Sequence, residues 1–234
     1  ACTAACTCPW KTLSKASEGF TAAQPTGNTT KPDVAPMTTP TASLLSRENA
    51  LWDQGWYRYA RRVDSPNFGP RPSGAVVDLV VIHSISLPPG QYGGPQVQAL
   101  FTNTLDWDAH PYFQQIRGLR VSAHFFVRRG GELVQFVSCD ERAWHAGVSR
   151  YRGREQCNDD SIGIELEGLE GLGFETAQYE TLSALCAALA QRYPLAHVAG
   201  HEHIAPGRKH DPGAGFDWAK LQHSLSWPAQ YFPD

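Results

Sequence analysis

Short apolar runs separated by glycine and proline predict strands in the middle of the chain. Val76–His83 is rich in β-branched residues and lies between Gly74 and a Pro-Pro-Gly turn, which indicates a buried strand. Val121–Val127 and Glu132–Val137 flank the turn sequence Arg-Arg-Gly-Gly, so they predict a hairpin. Ser161–Glu167 alternates in the period of a strand. Its two faces would carry Ile162, Ile164 and Leu166 on one side and Gly163, Glu165 and Glu167 on the other.

Helical periodicity dominates the later part of the chain. Thr176 is the expected N-cap of a helix that runs to about Arg192, before Pro194. A short helix is predicted over Gln96–Phe101, and Asp217 is expected to cap another over Trp218–Leu225. The long helix has one apolar stripe, formed by Leu182, Leu185, Cys186, Leu189, Ala190 and Tyr193. Together these elements predict an α/β fold, a single domain with a central mixed β-sheet flanked by helices.

The composition changes near residue 47. Residues 1–46 are rich in Thr, Ala, Pro and Ser and poor in large apolar side chains, which predicts a disordered or non-native N-terminal extension. We expect Met37, the only methionine, to be the natural start, with a native processed extension as the alternative. The extension lacks the apolar region of roughly 7–15 residues that a secretory signal has. Residues 47–234 are therefore predicted to form the folded domain.

Charge and composition argue against several classes of partner. The formal net charge is −3, with a sequence pI near 6.3, so no basic surface for nucleic acid is expected. The apolar runs are shorter than the roughly 18 residues that a membrane span needs. The cysteines of the predicted domain are sparse and far apart, which favours a reducing compartment. They are Cys139, Cys157 and Cys186.

A candidate metal site is encoded in the segment GHEHIAPGRKHDPG, over residues 200–213. His201 and Asp211 are good ligands for a divalent metal, and His83 at the end of the predicted buried strand is a third candidate. Two imidazoles and a carboxylate suit one Zn²⁺ with a coordination position left for water, which predicts a zinc hydrolase. His203 and His210 are close enough in sequence to remain alternative ligands.

Further polar residues have two interpretations each. Glu165 or Glu167 could accept a proton from the attacking water, or both could be solvated on an exposed strand face. Lys209 could stabilise an oxyanion or be a surface cation. Trp144 and the loop LPPGQYGG could line a cleft or serve ordinary packing. His124 lies in an apolar strand, which favours a core histidine or one that supports a ligand.

Six blocks of sequence, in the same order, resemble the zinc amidases that cut N-acetylmuramoyl-L-alanine bonds. The resemblance covers about Leu51 to Trp218 and excludes residues 1–46. It is strongest to the cytoplasmic members that act on 1,6-anhydro-N-acetylmuramyl-L-alanine. The blocks are VVIHSISLPPGQYGGPQVQALF, AHPYF, LRVSAHFFVRRGGELVQFV, RAWHAGVS, CNDDSIGIELEG and GHEHIAPGRKHDPGAGFDW.

The resemblance implies an amidase type 2 fold and a role for each site residue. Zinc would be held by His83, His201 and Asp211, while Glu165 and Lys209 match the catalytic glutamate and lysine of the family. The substrate would be an anhydromuropeptide or muropeptide from wall turnover, cut between the lactyl group and L-alanine. In some bacteria this clearance keeps an inducible β-lactamase silent. Candidate substrate contacts are Ser84, Arg120, Trp144 and Arg208.

Two departures from the family pattern concern substrate preference. Ser84 stands where related sequences usually have Asn, and Gln156 where Arg often precedes the cysteine of the CND motif. We expect a cytoplasmic monomer without nucleic-acid or membrane partners. The alternatives are an envelope or phage-type wall-lytic amidase and a non-catalytic peptidoglycan-binding module.

Overall fold

A six-stranded sheet forms the centre of the computed structural model, which describes residues 50–233. The predicted extension over residues 1–46 lies outside the described residues. The strands, numbered in chain order, are β1 (Trp52–Asp53), β2 (Trp56–Tyr57), β3 (Arg61–Arg62), β4 (Phe68–Gly69), β5 (Leu79–Ile85), β6 (Phe125–Val127), β7 (Leu133–Gln135), β8 (Arg142–Ala143), β9 (Arg150–Tyr151), β10 (Arg154–Glu155), β11 (Ser161–Glu167) and β12 (His197–Gly200). The helices are α1 (Gln96–Phe101), α2 (Pro111–Gln115), α3 (Thr176–Arg192), α4 (His201–Ile204) and α5 (Trp218–Leu225), followed by a 3₁₀ turn over Ala229–Tyr231.

The order of strands in the central sheet is β12-β5-β11-β6-β7-β3. The neighbours β12, β5, β11 and β6 are all parallel, whereas β6 and β7 form an antiparallel hairpin. The predicted mixed sheet is therefore confirmed. Parallel neighbours have their carboxyl ends at one edge of the sheet, which is where α/β proteins build their sites.

One face of the sheet packs against α3, and the other carries the candidate site residues. Val80, Ile82 and Ile164 belong to the same buried cluster as Leu182 and Leu185 of α3, so α3 covers one face. Residues at the alternate positions of β5 and β11 point to the other face. His83 and Glu165 are among them, and both are buried. This second face is apolar on either side of the site, since Val81 and Phe126 belong to two further buried clusters, and the polar residues lie between them.

Several boundaries differ from the sequence predictions. β5 begins at Leu79 and continues to Ile85, so His83 lies inside the strand because the sheet extends beyond the apolar run. The N-cap of α3 is Glu175, whose N–H donates to Gln178 Oε1 at 3.0 Å. On the same helix Ala190 is exposed and Ala188 is buried in its place. The Asp217 cap is confirmed, since Oδ1 accepts a hydrogen bond of 2.8 Å from Lys220 N.

The turn between β6 and β7 packs on α3. Gly131 has a φ of +86°, a conformation that favours glycine, and a Cβ there would lie 3.1 Å from Ala177 O. The predicted hairpin is confirmed, with strands shorter than the sequence runs. None of the helices in residues 50–233 combines the length and the hydropathy that a bilayer span requires. The three cysteines of this region are free and buried.

Candidate metal centre

Strand register brings the candidate site residues together. Glu165 of β11 is the register partner of His83 in β5. On the other side of β5, Gly200 pairs with Ile82, so His201, one residue further, reaches the level of His83. Asp211 returns to this edge because its carbonyl accepts a hydrogen bond of 2.9 Å from Glu202 N.

The three candidate ligands form a compact triangle of atoms. His83 Nδ1 lies 2.9 Å from His201 Nδ1 and 3.1 Å from Asp211 Oδ2, and His201 Nδ1 lies 3.2 Å from Asp211 Oδ2. Within residues 50–233, no other set of three His, Cys, Asp or Glu side chains is placed to share a metal ion. A tetrahedral zinc with bonds of about 2.0–2.1 Å separates its ligand atoms by roughly 3.3 Å. The triangle is close to that size.

The hydrogen bonds of His201 fit a cation between these atoms. Its Nε2 lies 3.1 Å from Ala146 O, and a carbonyl only accepts, so Nε2 carries the proton. In the tautomer that this bond selects, the lone pair lies at Nδ1, toward the Asp211 carboxylate. His83 contributes a third atom at the same point, and its Nε2 is hydrogen-bonded to His145 Nδ1 at 3.0 Å. Electron-rich atoms this close fit a divalent metal.

Burial and neighbouring charges shift the pKa values of His83 and Asp211. Burial lowers the pKa of His83 to about 4, assisted by His201 and opposed by Asp211. Burial alone would raise the pKa of Asp211, but His201 and His83 hold it well below its usual range. His83 is therefore neutral and Asp211 is ionised, the forms of these side chains that bind metal.

Glu165 and Lys209 lie beside the triangle, and both are buried. Burial, followed by the charge of Asp211, raises the pKa of Glu165 well above its usual range, while Lys209 opposes the shift. Glu165 Oε2 accepts no hydrogen bond from residues 50–233. Burial lowers the pKa of Lys209, and Asp211 opposes this. The interpretation of Lys209 as a surface cation is wrong, because only 3% of its surface is exposed.

Glu167 serves a different purpose from Glu165. Its Oε1 accepts a hydrogen bond of 2.6 Å from Gly93 N, and its Oε2 accepts one of 3.1 Å from Arg129 N. The carboxylate thus ties the glycine-rich loop and the β6–β7 turn to the end of β11. Neither glutamate is solvated, so the exposed-face interpretation is wrong.

The alternative ligands have other partners. His203 Nδ1 accepts a hydrogen bond of 2.8 Å from Gly200 N, and its ring packs against Trp218. His210 is exposed. His124 is a buried histidine outside the triangle: its Nδ1 accepts from Gly163 N at 3.0 Å.

The candidate substrate contacts are scattered around the centre. Ser84 follows His83 in β5, so its side chain leaves the strand on the face that α3 covers. Arg120 is exposed in the loop before β6. Trp144 is half-buried beside His145, and its backbone N–H donates to Ser122 Oγ at 3.0 Å. Arg208 donates to Ala146 O at 2.8 Å and also to Val148 O.

A cavity of about 660 Å³ is lined by Arg208, one residue before Lys209 in the chain. Arg208 and Gln156 line it together with Arg142, Arg150 and the loop over residues 147–149. Ala146 precedes Gly147 of this lining and links Arg208 to the centre, because its carbonyl accepts from both His201 and Arg208. The sequence connected Gln156 with substrate preference but gave no sign of Arg142 or Arg150.

Comparison with known proteins decides the family. The model of the N-acetylmuramoyl-L-alanine amidase family matches residues 73–214, a range that includes the triangle, Glu165 and Lys209. The chain belongs to the N-acetylmuramoyl-L-alanine amidase family. The resemblance and the fold expected from the sequence are thereby confirmed.

The sequence is similar to individual amidases of this family over most of the chain. The chain is 56% identical over 174 residues to the 1,6-anhydro-N-acetylmuramyl-L-alanine amidase AmpD of Citrobacter freundii, covering 74% of this chain and 93% of that protein. It is 55% identical over 178 residues to AmpD of Escherichia coli strain K12, covering 75% and 97%. The crystal structure of a Se-Met AmpD derivative superposes with a TM-score of 0.73 at 56% identity, covering 75% of this chain and 99% of that one.

The sequence analysis assigned no role to His145. In the structure it is buried and contacts His83 directly. Burial, followed by the charge of His83, lowers the pKa of His145 well below its ordinary value, so the ring is neutral. The sequence held one signal, Gly163, because a glycine inside a strand often marks the close approach of another group. In the structure that group is the His145 ring, which a Cβ at Gly163 would approach to 2.4 Å.

Proposed function

We propose that this chain is a zinc-dependent 1,6-anhydro-N-acetylmuramyl-L-alanine amidase of peptidoglycan recycling. It would cleave the amide bond between the lactyl group of anhydro-N-acetylmuramic acid and the L-alanine of the stem peptide. The observation that carries this proposal is the 55–56% identity to AmpD proteins over 93–97% of their length.

We assign His83, His201 and Asp211 as the ligands of one Zn²⁺. The convergence of two imidazole nitrogens and a carboxylate oxygen at 2.9–3.2 Å supports this assignment. When bound, zinc would polarise the scissile carbonyl and lower the pKa of a water molecule toward 7.

Glu165 is proposed as the residue that moves the proton. Its buried Oε2 has no donor among residues 50–233, so it is available to accept the proton of the attacking water. A carboxyl whose pKa is raised by burial can also return that proton to the leaving amine nitrogen near neutral pH. One residue thus serves both halves of the hydrolysis.

Lys209 is proposed to stabilise the oxyanion that forms on the lactyl carbonyl. A buried ammonium beside the triangle acts through a medium of low dielectric constant, where its charge has more effect than in water. A compact ammonium suits a single oxygen atom better than a planar guanidinium does.

Substrate contacts are proposed for Arg120, Trp144 and Arg208, and for Ser84 through its backbone at the end of β5, since its side chain lies on the face that α3 covers. The cavity lined by Arg208, Arg142 and Arg150 suits the carboxylates of a stem peptide, since guanidinium groups bind carboxylates well. We further propose a cytoplasmic monomer without nucleic-acid or membrane partners, on the basis of the free buried cysteines and the absence of a basic excess.

The test separates substrate classes and metal dependence. Purified protein is incubated with an anhydromuropeptide and, in a parallel reaction, with intact sacculi, and the products are identified by mass spectrometry. We expect release of the intact stem peptide from the anhydromuropeptide, loss of this activity on chelation, and recovery on adding Zn²⁺. His83→Ala and Asp211→Ala should lose the metal and the activity. Products from sacculi alone would favour the wall-lytic alternative, and substrate binding without any product would favour the binding module.

A further inference from the structure

A buried row of hydrogen bonds runs away from the metal centre behind His83. His83 Nε2 lies 3.0 Å from His145 Nδ1, and His145 Nε2 lies 3.2 Å from Ser161 Oγ. Ser161 Oγ in turn donates to the carbonyl of Cys157. His83, His145 and Ser161 are all at least 95% buried, so water does not compete for these bonds.

The carbonyl at the far end fixes the direction of every bond in the row. A carbonyl only accepts, so the single hydroxyl hydrogen of Ser161 points to Cys157 O. Ser161 Oγ must then accept from His145 Nε2, which therefore carries the proton of that neutral ring. His145 Nδ1 is left as an acceptor, and the bond to His83 requires a proton on His83 Nε2. The lone pair of His83 therefore lies at Nδ1, the atom that faces His201 and Asp211.

The fold holds the His145 ring in place. Gly163 of β11 offers the ring a surface without a side chain, since a Cβ there would lie 2.4 Å from it. The backbone N–H groups of His145 and Ala146 donate to Asn158 Oδ1 at 3.1 and 2.8 Å. The ring can therefore neither swing away from His83 nor be displaced by solvent.

His124, a neighbour of His145, is a buried histidine with a structural role only. It is equally buried, and its ring centroid lies 5.7 Å from that of His145. Its Nδ1 accepts from Gly163 N and its Nε2 lies 3.1 Å from Glu141 O, so it secures backbone groups. His145 differs because its Nδ1 bonds to a candidate metal ligand.

We propose that His145, backed by Ser161, is a positioning residue that fixes His83 in the Nε2–H tautomer and so directs Nδ1 to the metal. The inference rests on the proposed metal centre. It does not depend on which muropeptide is cleaved. Residues that orient a metal-bound histidine typically change metal affinity by about 10–100-fold when they are replaced.

The test measures zinc affinity in the absence of substrate. Metal-free full-length protein is titrated with Zn²⁺ against a chromophoric chelator, with the fold checked by circular dichroism. We expect His145→Phe, which retains a ring but offers no acceptor, to weaken Zn²⁺ binding by about 10–100-fold. His145→Asn should recover part of the affinity, because Oδ1 takes the position of Nδ1. His124→Phe is the matched control and should lower the melting temperature with little change in zinc affinity.

A second readout observes the tautomer directly. In wild-type protein with ¹⁵N-labelled histidine, the ring shifts of His83 should report a proton on Nε2, and in His145→Phe a mixture of tautomers. Wild-type zinc affinity in folded His145→Phe would overturn the inference while leaving the proposed function intact. If His145→Phe does not fold, a proton on His83 Nδ1 in the wild-type protein would overturn it equally. Wild-type protein that binds no Zn²⁺ would overturn both proposals.

Discussion

Glu165 and Glu167 are two residues apart on one face of β11, yet their carboxylates have different surroundings. Backbone donors of Gly93 and Arg129 occupy both oxygens of Glu167. Glu165 instead has a buried oxygen with no donor among residues 50–233 and lies next to His83 in register. A carboxylate already engaged by two donors is a poor proton acceptor, so only Glu165 suits catalysis.

Replacing Glu165 should therefore remove a proton acceptor and leave the fold intact. We expect Glu165→Gln to lower kcat by about 10²-fold or more while zinc content and KM stay near wild-type values. Steady-state kinetics and metal analysis on the same preparation make the measurement.

Glu167→Ala is the matched control for this prediction. It removes the acceptor of two part-buried hydrogen bonds, from Gly93 N and Arg129 N, and should reduce the free energy of unfolding by about 1 kcal/mol, with kcat changed less than about 10-fold. If Glu167→Ala abolishes turnover in folded protein while Glu165→Gln does not, the assignment of the two residues is reversed.

Lys209 is the second residue whose replacement should affect the chemical step. We expect Lys209→Ala to lower kcat by about 10²-fold or more at nearly unchanged KM and zinc content, since the ammonium acts on charge that develops in the transition state. Lys209→Arg should recover only part of the loss. Lys220→Ala, which removes a cation on α5, is the control and should leave kcat unchanged. Near-normal turnover in Lys209→Ala would remove this residue from the mechanism.

At the scale of elements, the parallel strands β12, β5 and β11 carry the site. Sequence patterns located β5 and β11, because their apolar runs are long and bounded by turn residues. The two-residue strands β1 to β4 and β8 to β10 were not predicted, since two residues are too few to show the alternation of a strand. The strands β3 and β4 also depend on partners far away in the chain, β7 and β8. The role of His145 was missed for the same reason: 62 residues separate it from His83.

His124, directly before β6, should make the stability of the fold depend on pH. Burial, followed by the charge of Arg71, lowers the pKa of His124 from 6.5 to about 3. Above pH 6.5 the His124 ring is neutral in both the folded and the unfolded chain, so it contributes nothing to the pH dependence of stability. Between pH 6.5 and about 3 only the unfolded chain binds a proton there, so stability is lost as pH falls, by up to about 1.4 kcal/mol per pH unit.

The variant His124→Asn tests this pH dependence, because Oδ1 can still accept from Gly163 N but does not titrate. Between pH 7.5 and 5.5 its free energy of unfolding should fall by about 1 kcal/mol less than that of the wild-type protein. Urea unfolding at the two pH values, with chelator present, measures the difference. Equal losses in the two proteins would show that His124 is already protonated in the folded state at pH 5.5.

At the scale of the whole molecule, the hydrophobic clusters and the proposed site are built from residues 50–233. Residues 1–36 carry few large apolar side chains, so we expect their removal to take little apolar surface from the folded domain. A chain that begins at Met37 should have a melting temperature within about 2 °C of the full chain and the same kcat/KM, measured by calorimetry and kinetics. A melting temperature lower by many degrees would mean that the extension packs on the domain.

The alternation along β11 has a consequence for how this sequence can change in length. Ile162, Ile164 and Leu166 lie in the cluster with α3, and Gly163 and Glu165 face the metal centre. Deleting or inserting one residue within the strand would exchange the two sets and put a carboxylate under α3 and an isoleucine at the centre. Length variation compatible with activity is therefore confined to the loops, where an added residue changes no strand's parity.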